Sequence, residues 1–114
     1  MSTLSVNIFE TPDAVVIQLS GQAGFTAVDG LQVPFQRVVV ARPQLVVLDL
    51  AGLDFAASLF LGMLVNLRRG IVMQGGQVQM AGVRPNVREI LQVSKLDSLF
   101  EFIDAAPQPP APAG

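Results

Sequence analysis

The chain has 114 residues, of which 51% are hydrophobic and only 14% charged, and it contains no cysteine, histidine, tyrosine or tryptophan. This length suits one domain, and a net charge of −2 without a basic run argues against an electrostatic nucleic-acid interface. The missing residue types remove the thiolate nucleophile, the imidazole base and the commonest metal ligands. The composition therefore predicts a non-catalytic protein with no cofactor and no metal site.

The start of the chain is predicted to form a β-hairpin. Leu4, Val6 and Ile8 alternate with polar residues, and residues 14–19 are rich in β-branched side chains. Thr11-Pro12-Asp13, between these two runs, is a turn signal. We expect the second strand to end at residues 21–24, where two glycines occur.

A first helix, capped by Thr26, is predicted after the hairpin. Pro34 lies inside the helical pattern and should kink the helix or delay its start, because proline has no amide hydrogen to donate in a helix interior. The apolar residues that recur at helical spacing are Phe25, Val28, Leu31, Phe35, Val38 and Val39.

The central part of the chain predicts a buried strand, a tight loop and a second helix. Residues 45–50 are almost continuously apolar, as in a strand buried on both faces of a parallel sheet. After a loop at residues 54–58, the helix should begin at Ser58 and run to about Gln74, because Gly75-Gly76 is a helix stop. Ligands of parallel α/β sheets usually lie at the carboxyl ends of the strands, where this loop falls.

The last elements are predicted to be a strand at residues 78–81, a third helix that begins at Pro85, and an amphipathic segment at residues 96–103. The last of these is either a short helix or a strand followed by one turn. Apolar positions of the third helix are Val87, Ile90, Leu91 and Val93. Residues 1–106 would then form one α/β domain with right-handed crossovers, and the Pro/Ala-rich residues 107–114 a disordered tail.

The longest apolar run is about half the roughly 20 residues that a membrane span needs. No basic and apolar signal sequence is apparent at the N-terminus. These patterns predict a cytoplasmic protein that does not insert directly into a membrane.

Ser58 has two interpretations from the residues alone. As an N-cap, its hydroxyl would accept a backbone amide hydrogen and stabilise the helix by about 0.5 to 2 kcal/mol. As a phosphorylation site, it would carry about two negative charges at the positive end of a helix, where the fold tolerates them while the surface changes.

Residues 45–64, LVVLDLAGLDFAASLFLGML, resemble the signature of STAS domains (sulfate transporter and anti-sigma factor antagonist). In that signature an apolar strand is followed by a phenylalanine, an Asp-Ser-Ser-Gly-Leu-Gly-like segment and a helix. Phe55 falls on the phenylalanine, Ser58 on the first serine, and Leu61-Gly62 on the Leu-Gly. Weaker matches follow the family's order at Gly21, residues 75–78, residues 83–87 and residues 96–100, so the resemblance covers about residues 4–104.

The resemblance implies a STAS-like α/β fold, with a mixed, mostly parallel sheet of four to five strands that opens with a β-hairpin and packs with about four helices. It also implies that a partner anti-sigma factor serine kinase phosphorylates Ser58, and that the unmodified chain binds this kinase so that the kinase releases its sigma factor. Three motif positions differ, because Ala57, Leu59 and Phe60 replace the aspartate, the second serine and the glycine.

The second helix is apolar on almost every side in its first three turns, where a surface helix should have a polar face. If Leu61, Leu64 and Val65 cover the sheet, Phe60 and Met63, with Leu59 and Leu67 beside them, lie toward solvent or under a partner. Alternatively, the first helix, bent at Pro34, shields them. A lipid chain would also fit a dry groove here. The predicted partner-binding residues are Gln22, Ala57, Ser58, Leu59, Phe60, Met63 and Asn66.

Taken together, the sequence predicts a regulatory protein-interaction module similar to an anti-sigma factor antagonist, switched by phosphorylation at Ser58. The alternative is a constitutive scaffold without a phosphoswitch. It would form a homo-oligomer or serve as the accessory subunit of a lipid transporter.

Overall fold

The computed structural model of the protein describes residues 4–24 and 27–109. The strands are β1 (Leu4–Glu10), β2 (Val15–Ala23), β3 (Leu45–Ala56), β4 (Gln77–Ala81) and β5 (Glu101–Ile103). The helices are α1 (Gln32–Val40), α2 (Ser58–Met73) and α3 (Pro85–Val93), with 3-10 turns at Ala27–Leu31 and Asp97–Leu99. The described residues thus form three α-helices and two 3-10 turns, where the sequence predicted about four helices.

The five strands form one mixed sheet in the order β1-β2-β3-β4-β5. β1 pairs with β2 antiparallel, and all other neighbouring strands are parallel. The predicted α/β architecture and opening hairpin are confirmed. Thr11 closes the hairpin, because its hydroxyl oxygen accepts the Ala14 amide at 3.0 Å and its own amide donates to the Ala14 carbonyl at 2.8 Å.

All three helices pack on the same face of the sheet. Their buried side chains form one core with the strand residues that point to this face, including Ile17, Leu48 and Phe60. A smaller apolar cluster covers part of the opposite face, where Val16 and Val47 pack with Ala106. The order of the strands in the sheet is the same as their order in the sequence, and the connecting helices lie on one face. Right-handed crossovers produce this arrangement.

The strand β3 is twice as long as predicted, because it continues past residue 50 to Ala56. Residues 20–23 of β2 pair with this extension, and two register shifts place an extra residue in β3 each time. Gly52 permits the close approach, since a Cβ there would lie 2.7 Å from the Cβ of Ser20. The strand β2 ends at Ala23, within the predicted residues 21–24, and Gly21, with a φ of 99°, lies at the second irregularity.

The helix α1 starts late, as one of the two outcomes predicted for Pro34. A 3-10 turn precedes it, and Pro34 is its third residue, where the missing amide hydrogen breaks no intrahelical bond. The predicted cap Thr26 and the apolar Phe25 lie outside the described residues.

The final segment differs from both predicted forms, because a 3-10 turn at Asp97–Leu99 precedes the strand β5. The guanidinium of Arg88 lies 4.1 Å from the ring centre of Phe102, which ties α3 to this edge strand. In the third helix, Val87 and Leu91 are buried as predicted, whereas Val93 is exposed. The disordered tail at 107–114 stays a prediction, and residues 110–114 lie outside the described part of the chain.

Two glycines should respond oppositely to alanine. Gly62, inside α2, has open space where a Cβ would be added, so Gly62→Ala should raise the free energy of unfolding by roughly 0.5 to 1 kcal/mol. At Gly76 a Cβ would lie 2.7 Å from the Pro43 carbonyl oxygen, so Gly76→Ala should lower it. Urea unfolding measures both, and a stabilised Gly76→Ala variant would contradict this packing.

Candidate functional site around Ser58

Ser58 is the first residue of α2 and follows the carboxyl end of β3 after one extended residue, Ala57. The Ala57 amide donates to the carbonyl of Ala23 at 2.8 Å, and the Ala57 carbonyl accepts the amide of Leu61 at 3.1 Å. These two bonds fix the corner between the end of β2 and the first turn of α2. The Ser58 side chain is exposed at that corner.

The prediction that Ser58 is the N-cap is wrong. Ala57 occupies the N-cap position with extended dihedral angles, and no side chain caps the helix. Ser58 stands one residue inside, where its own amide is one of those that lack an intrahelical acceptor. The hydroxyl is therefore not committed to capping, and it lies at the positive end of the helix dipole.

The predicted partner face is only partly at the surface. Leu59 is 47% exposed, Met63 is half-buried, and Asn66 and Gln22 are exposed. By contrast, Phe60 is 0% exposed, and Ala57 and Leu67 are also buried. The expectation that Phe60 and Leu67 lie toward solvent is wrong, and the Ala57 side chain is not accessible either.

Helix periodicity explains why these residues are buried. Phe60, Leu64, Leu67 and Ile71 follow one another at spacings of four, three and four, so they share the stripe of α2 that faces the sheet. The sequence assigned this stripe to Leu61, Leu64 and Val65, of which the first two are buried and Val65 is half-buried. Leu67 packs in the same core as Phe35 of α1, so the alternative of shielding by the first helix holds for Leu67 but not for Leu59.

Phe55 is an exposed aromatic residue that the sequence did not place on the partner face. It is 46% exposed and pairs in register with Gln22 near the end of β3. Along the chain, Ser58 lies between Phe55 and Leu59. An exposed apolar side chain therefore precedes the hydroxyl and another follows it. The sequence would have indicated Phe55 as a surface residue only if the continuation of β3 past residue 50 had been predicted.

A polar clamp, formed by Arg84 and Asn86 at the start of α3, holds the distal part of β3. Arg84 forms an ion pair with Asp54, and its Nε donates to the Ala51 carbonyl at 2.8 Å. The side-chain amide of Asn86 donates to the backbone carbonyl of Asp54 at 2.7 Å. The strand β4 pairs with β3 only as far as Asp49, so these side chains take over where the ladder ends.

Comparison with known proteins identifies the family. The sequence profile of the STAS domain matches residues 5–107. The chain is also 32% identical over 88 residues to a STAS-domain containing protein of Pseudomonas aeruginosa, covering 77% of this chain and 86% of that one. This chain belongs to the STAS domain family.

Solved structures share the fold of this STAS domain at lower identity. An anti-sigma factor antagonist (STAS) domain protein from Planctomyces limnophilus superposes with a TM-score of 0.80 at 23% identity, covering 89% of this chain and 91% of that one. An anti-sigma factor antagonist from Mycobacterium paratuberculosis gives 0.79 at 20%, covering 87% and 84%. The unphosphorylated antagonist SpoIIAA gives 0.77 at 21%, covering 90% and 89%.

In this STAS domain, no cluster of three or more His, Cys, Asp or Glu side chains within residues 4–24 and 27–109 could hold a metal ion. None of the helices described for those residues is long and apolar enough to cross a membrane. The prediction that the protein needs no cofactor stays a prediction.

The neighbours Leu59 and Phe60 should differ sharply when truncated. Phe60→Ala removes a fully buried ring and should cost about 3 to 5 kcal/mol of unfolding free energy. Leu59→Ala removes an exposed side chain and should change stability by no more than about 0.5 kcal/mol. Chemical denaturation followed by circular dichroism measures both, and similar losses for the two variants would contradict the orientation of α2.

Arg84→Met should loosen the distal part of β3 without unfolding the domain. The ion pair is about half exposed, so the loss of global stability should stay within about 1 kcal/mol. Amide hydrogen exchange at residues 53–58 should accelerate, because the clamp no longer holds the strand. Lys95→Met is the matched control. Unchanged exchange in Arg84→Met would show that the clamp does not hold this segment.

Proposed function

We propose that this STAS domain is a non-catalytic regulatory module that acts as an anti-sigma factor antagonist in the cytoplasm. The observation that carries the proposal is the exposed Ser58 at the first position of α2, which is the place where the family signature has its acceptor serine. Three structural neighbours are described as anti-sigma factor antagonists, which agrees with this assignment.

The proposed contact surface consists of the exposed groups around Ser58. Leu59 and Phe55 supply apolar area, Gln22 pairs in register with Phe55, and the half-buried Met63 and exposed Asn66 continue the face of α2 that begins at Leu59. Phe60 and Ala57 contribute by supporting the corner from inside the core, since their side chains are buried. A mixed patch of apolar and uncharged polar side chains is typical of the core of a protein–protein interface.

Phosphorylation of Ser58 by an ATP-dependent kinase partner is the proposed switch. The Ser58 Oγ would attack the γ-phosphorus of the ATP held by the kinase, the bond to the β–γ bridging oxygen would break, and ADP would leave. The hydroxyl proton would pass to a base on the kinase. The phosphate would then add about two negative charges beside Leu59, where they oppose burial under the partner.

The second candidate is a permanent dock without a switch, as a scaffold, an oligomer component or the accessory subunit of a lipid transporter. The observation that favours it is the composition of the corner. The motif's aspartate is replaced by the buried Ala57, and its second serine by the exposed Leu59. The corner thus presents a kinase with no carboxylate beside the acceptor hydroxyl.

Ser58 variants separate the two functions. The purified chain is incubated with each anti-sigma factor serine kinase encoded in its source genome and Mg·ATP. We expect mass spectrometry to find one phosphate on Ser58, and none in Ser58→Ala. Titration calorimetry should show that Ser58→Asp binds the kinase at least tenfold more weakly, about 1.4 kcal/mol, than the unmodified chain.

Ser98→Ala, an exposed serine in the turn before β5, is the control and should behave as the unmodified chain. Equal kinase affinity of all variants with an unmodified Ser58 would replace the switch by the permanent dock. Absence of kinase binding together with self-association would overturn the antagonist role.

A further inference from the structure

The helices α1 and α2 carry positive charge and no negative charge. Residues 30–48 and 55–83 contain no Asp or Glu, although the chain has nine acidic and seven basic residues. The same stretches hold four arginines: Arg37, Arg42, Arg68 and Arg69. Within the described residues the ion pair joins Arg84 to Asp54, so none of these four guanidinium groups is paired with a carboxylate of its own chain.

A groove of about 480 Å³ runs between these two helices. The two helices approach closely where Gly70 of α2 meets Val39 of α1, since a Cβ on Gly70 would lie 3.0 Å from Cγ1 of Val39. The groove is lined by Gln32, Val33, Phe35, Gln36, Val39, Met63, Asn66 and Leu67. Its lining is therefore uncharged and combines apolar side chains with the amides of Gln32, Gln36 and Asn66, and we call it the α1–α2 groove.

Exposed apolar side chains extend the α1–α2 groove along both helices. Val40 is 68% exposed at the end of α1, and Met73 is 80% exposed at the end of α2. Leu59, Met63 and Asn66 follow one another at spacings of four and three, so they form one stripe that begins beside Ser58. An exposed stripe of this kind, apolar at two of its three positions, usually marks a contact with another molecule.

Arginines border this stripe on both sides. At 100° per residue, Arg37 lies on the side of α1 that faces away from α2, where it lines a neighbouring groove with Val6, Ile8 and Glu10 of β1. Arg69, three residues after Asn66, lies on the outer side of α2 and is exposed. A segment lying along the α1–α2 groove would therefore have Arg69 at its α2 margin and Arg37 at its α1 margin, and Glu10 is the carboxylate that shares the neighbouring groove of Arg37.

We propose that the α1–α2 groove binds an amphipathic α-helix of a partner protein, with apolar residues along its centre and Asp or Glu at its margins. Residues spaced at three and four along one helix face are the usual anchors in a groove of this kind. The helices α1 and α2 contain three arginines and two methionines but no lysine and no acidic residue, which is the bias of protein–protein interfaces. Membrane-surface helices typically add aromatic residues, which α1 and α2 do not expose along the groove.

This inference rests on the proposed function in one respect, because Leu59, Met63 and Asn66 belong to both surfaces. It adds the chemistry of the segment that lies on them. The failures of the two proposals are separable. Loss of peptide binding with intact kinase binding would remove the groove proposal alone, and absence of kinase binding with intact peptide binding would remove the antagonist role alone.

The test uses two synthetic helices about 18 residues long, internally stapled, with the same leucine stripe and either Glu or Lys at the margins. Fluorescence anisotropy should show at least tenfold tighter binding of the Glu helix, with an affinity that falls as salt is raised. Amide chemical-shift changes in the labelled chain should be concentrated in α1 and α2. Vesicles of phosphatidylglycerol are the third probe.

A variant with reversed charges separates a change in binding from a loss of folding, because it should bind one of the two helices more tightly. Arg37→Glu/Arg69→Glu should bind the Lys helix more tightly than the Glu helix, reversing the preference at least tenfold in each direction. For single changes, Arg69→Glu should weaken the Glu helix several-fold. Lys95→Glu, the same charge change at an exposed site after α3, should leave its affinity within twofold. Equal binding of both helices, shifts outside α1 and α2, or binding to vesicles but not to the Glu helix would overturn the proposal.

Discussion

The packing of α2 on β3 is the constraint from which the rest of the structure follows. One stripe of α2, which includes Phe60 and Ile71, is buried against the sheet. The burial of these apolar side chains fixes the rotation of the helix about its axis. That rotation brings Met63 to the groove shared with α1 and leaves Ser58 and Leu59 exposed at the first turn. Because Ala57 is also bonded to the end of β2, neither the position nor the orientation of the serine is left to a flexible loop.

Much of the fold could be predicted from local patterns. The hairpin, the buried strand that begins at Leu45, the start of α2 and Pro85 at the start of α3 all follow from periodicity and turn residues. The extension of β3 could not be predicted, because its pairing depends on two irregularities in β2 and on the contact of Gly52 with Ser20. In the final segment a strand was one of the two predicted forms, but its turn was expected after it and not before it, since three residues at an edge carry little pattern of their own.

The candidate site was predicted less well than the fold. Position in the family signature led correctly to an exposed hydroxyl at Ser58, but burial of its neighbours depends on helix rotation, which a helix apolar on nearly all sides does not reveal. Phe60 fills the core where the family's glycine would leave space, so its bulk was wrongly interpreted as surface. The clamp of Arg84 on Asp54 joins residues thirty positions apart, and no local pattern indicates it.

The clamp also determines how other chains can approach the corner. Beyond Asp49 the outer edge of β3 has no neighbouring strand, and an open edge with free carbonyls is a template for strand addition and aggregation. Arg84 and Asn86 already donate to the carbonyls of Ala51 and Asp54, so an incoming strand would find these acceptors occupied. The protein thus closes its own edge with two side chains. A partner that approached this end would meet side chains, because the two carbonyls are no longer free to extend the sheet.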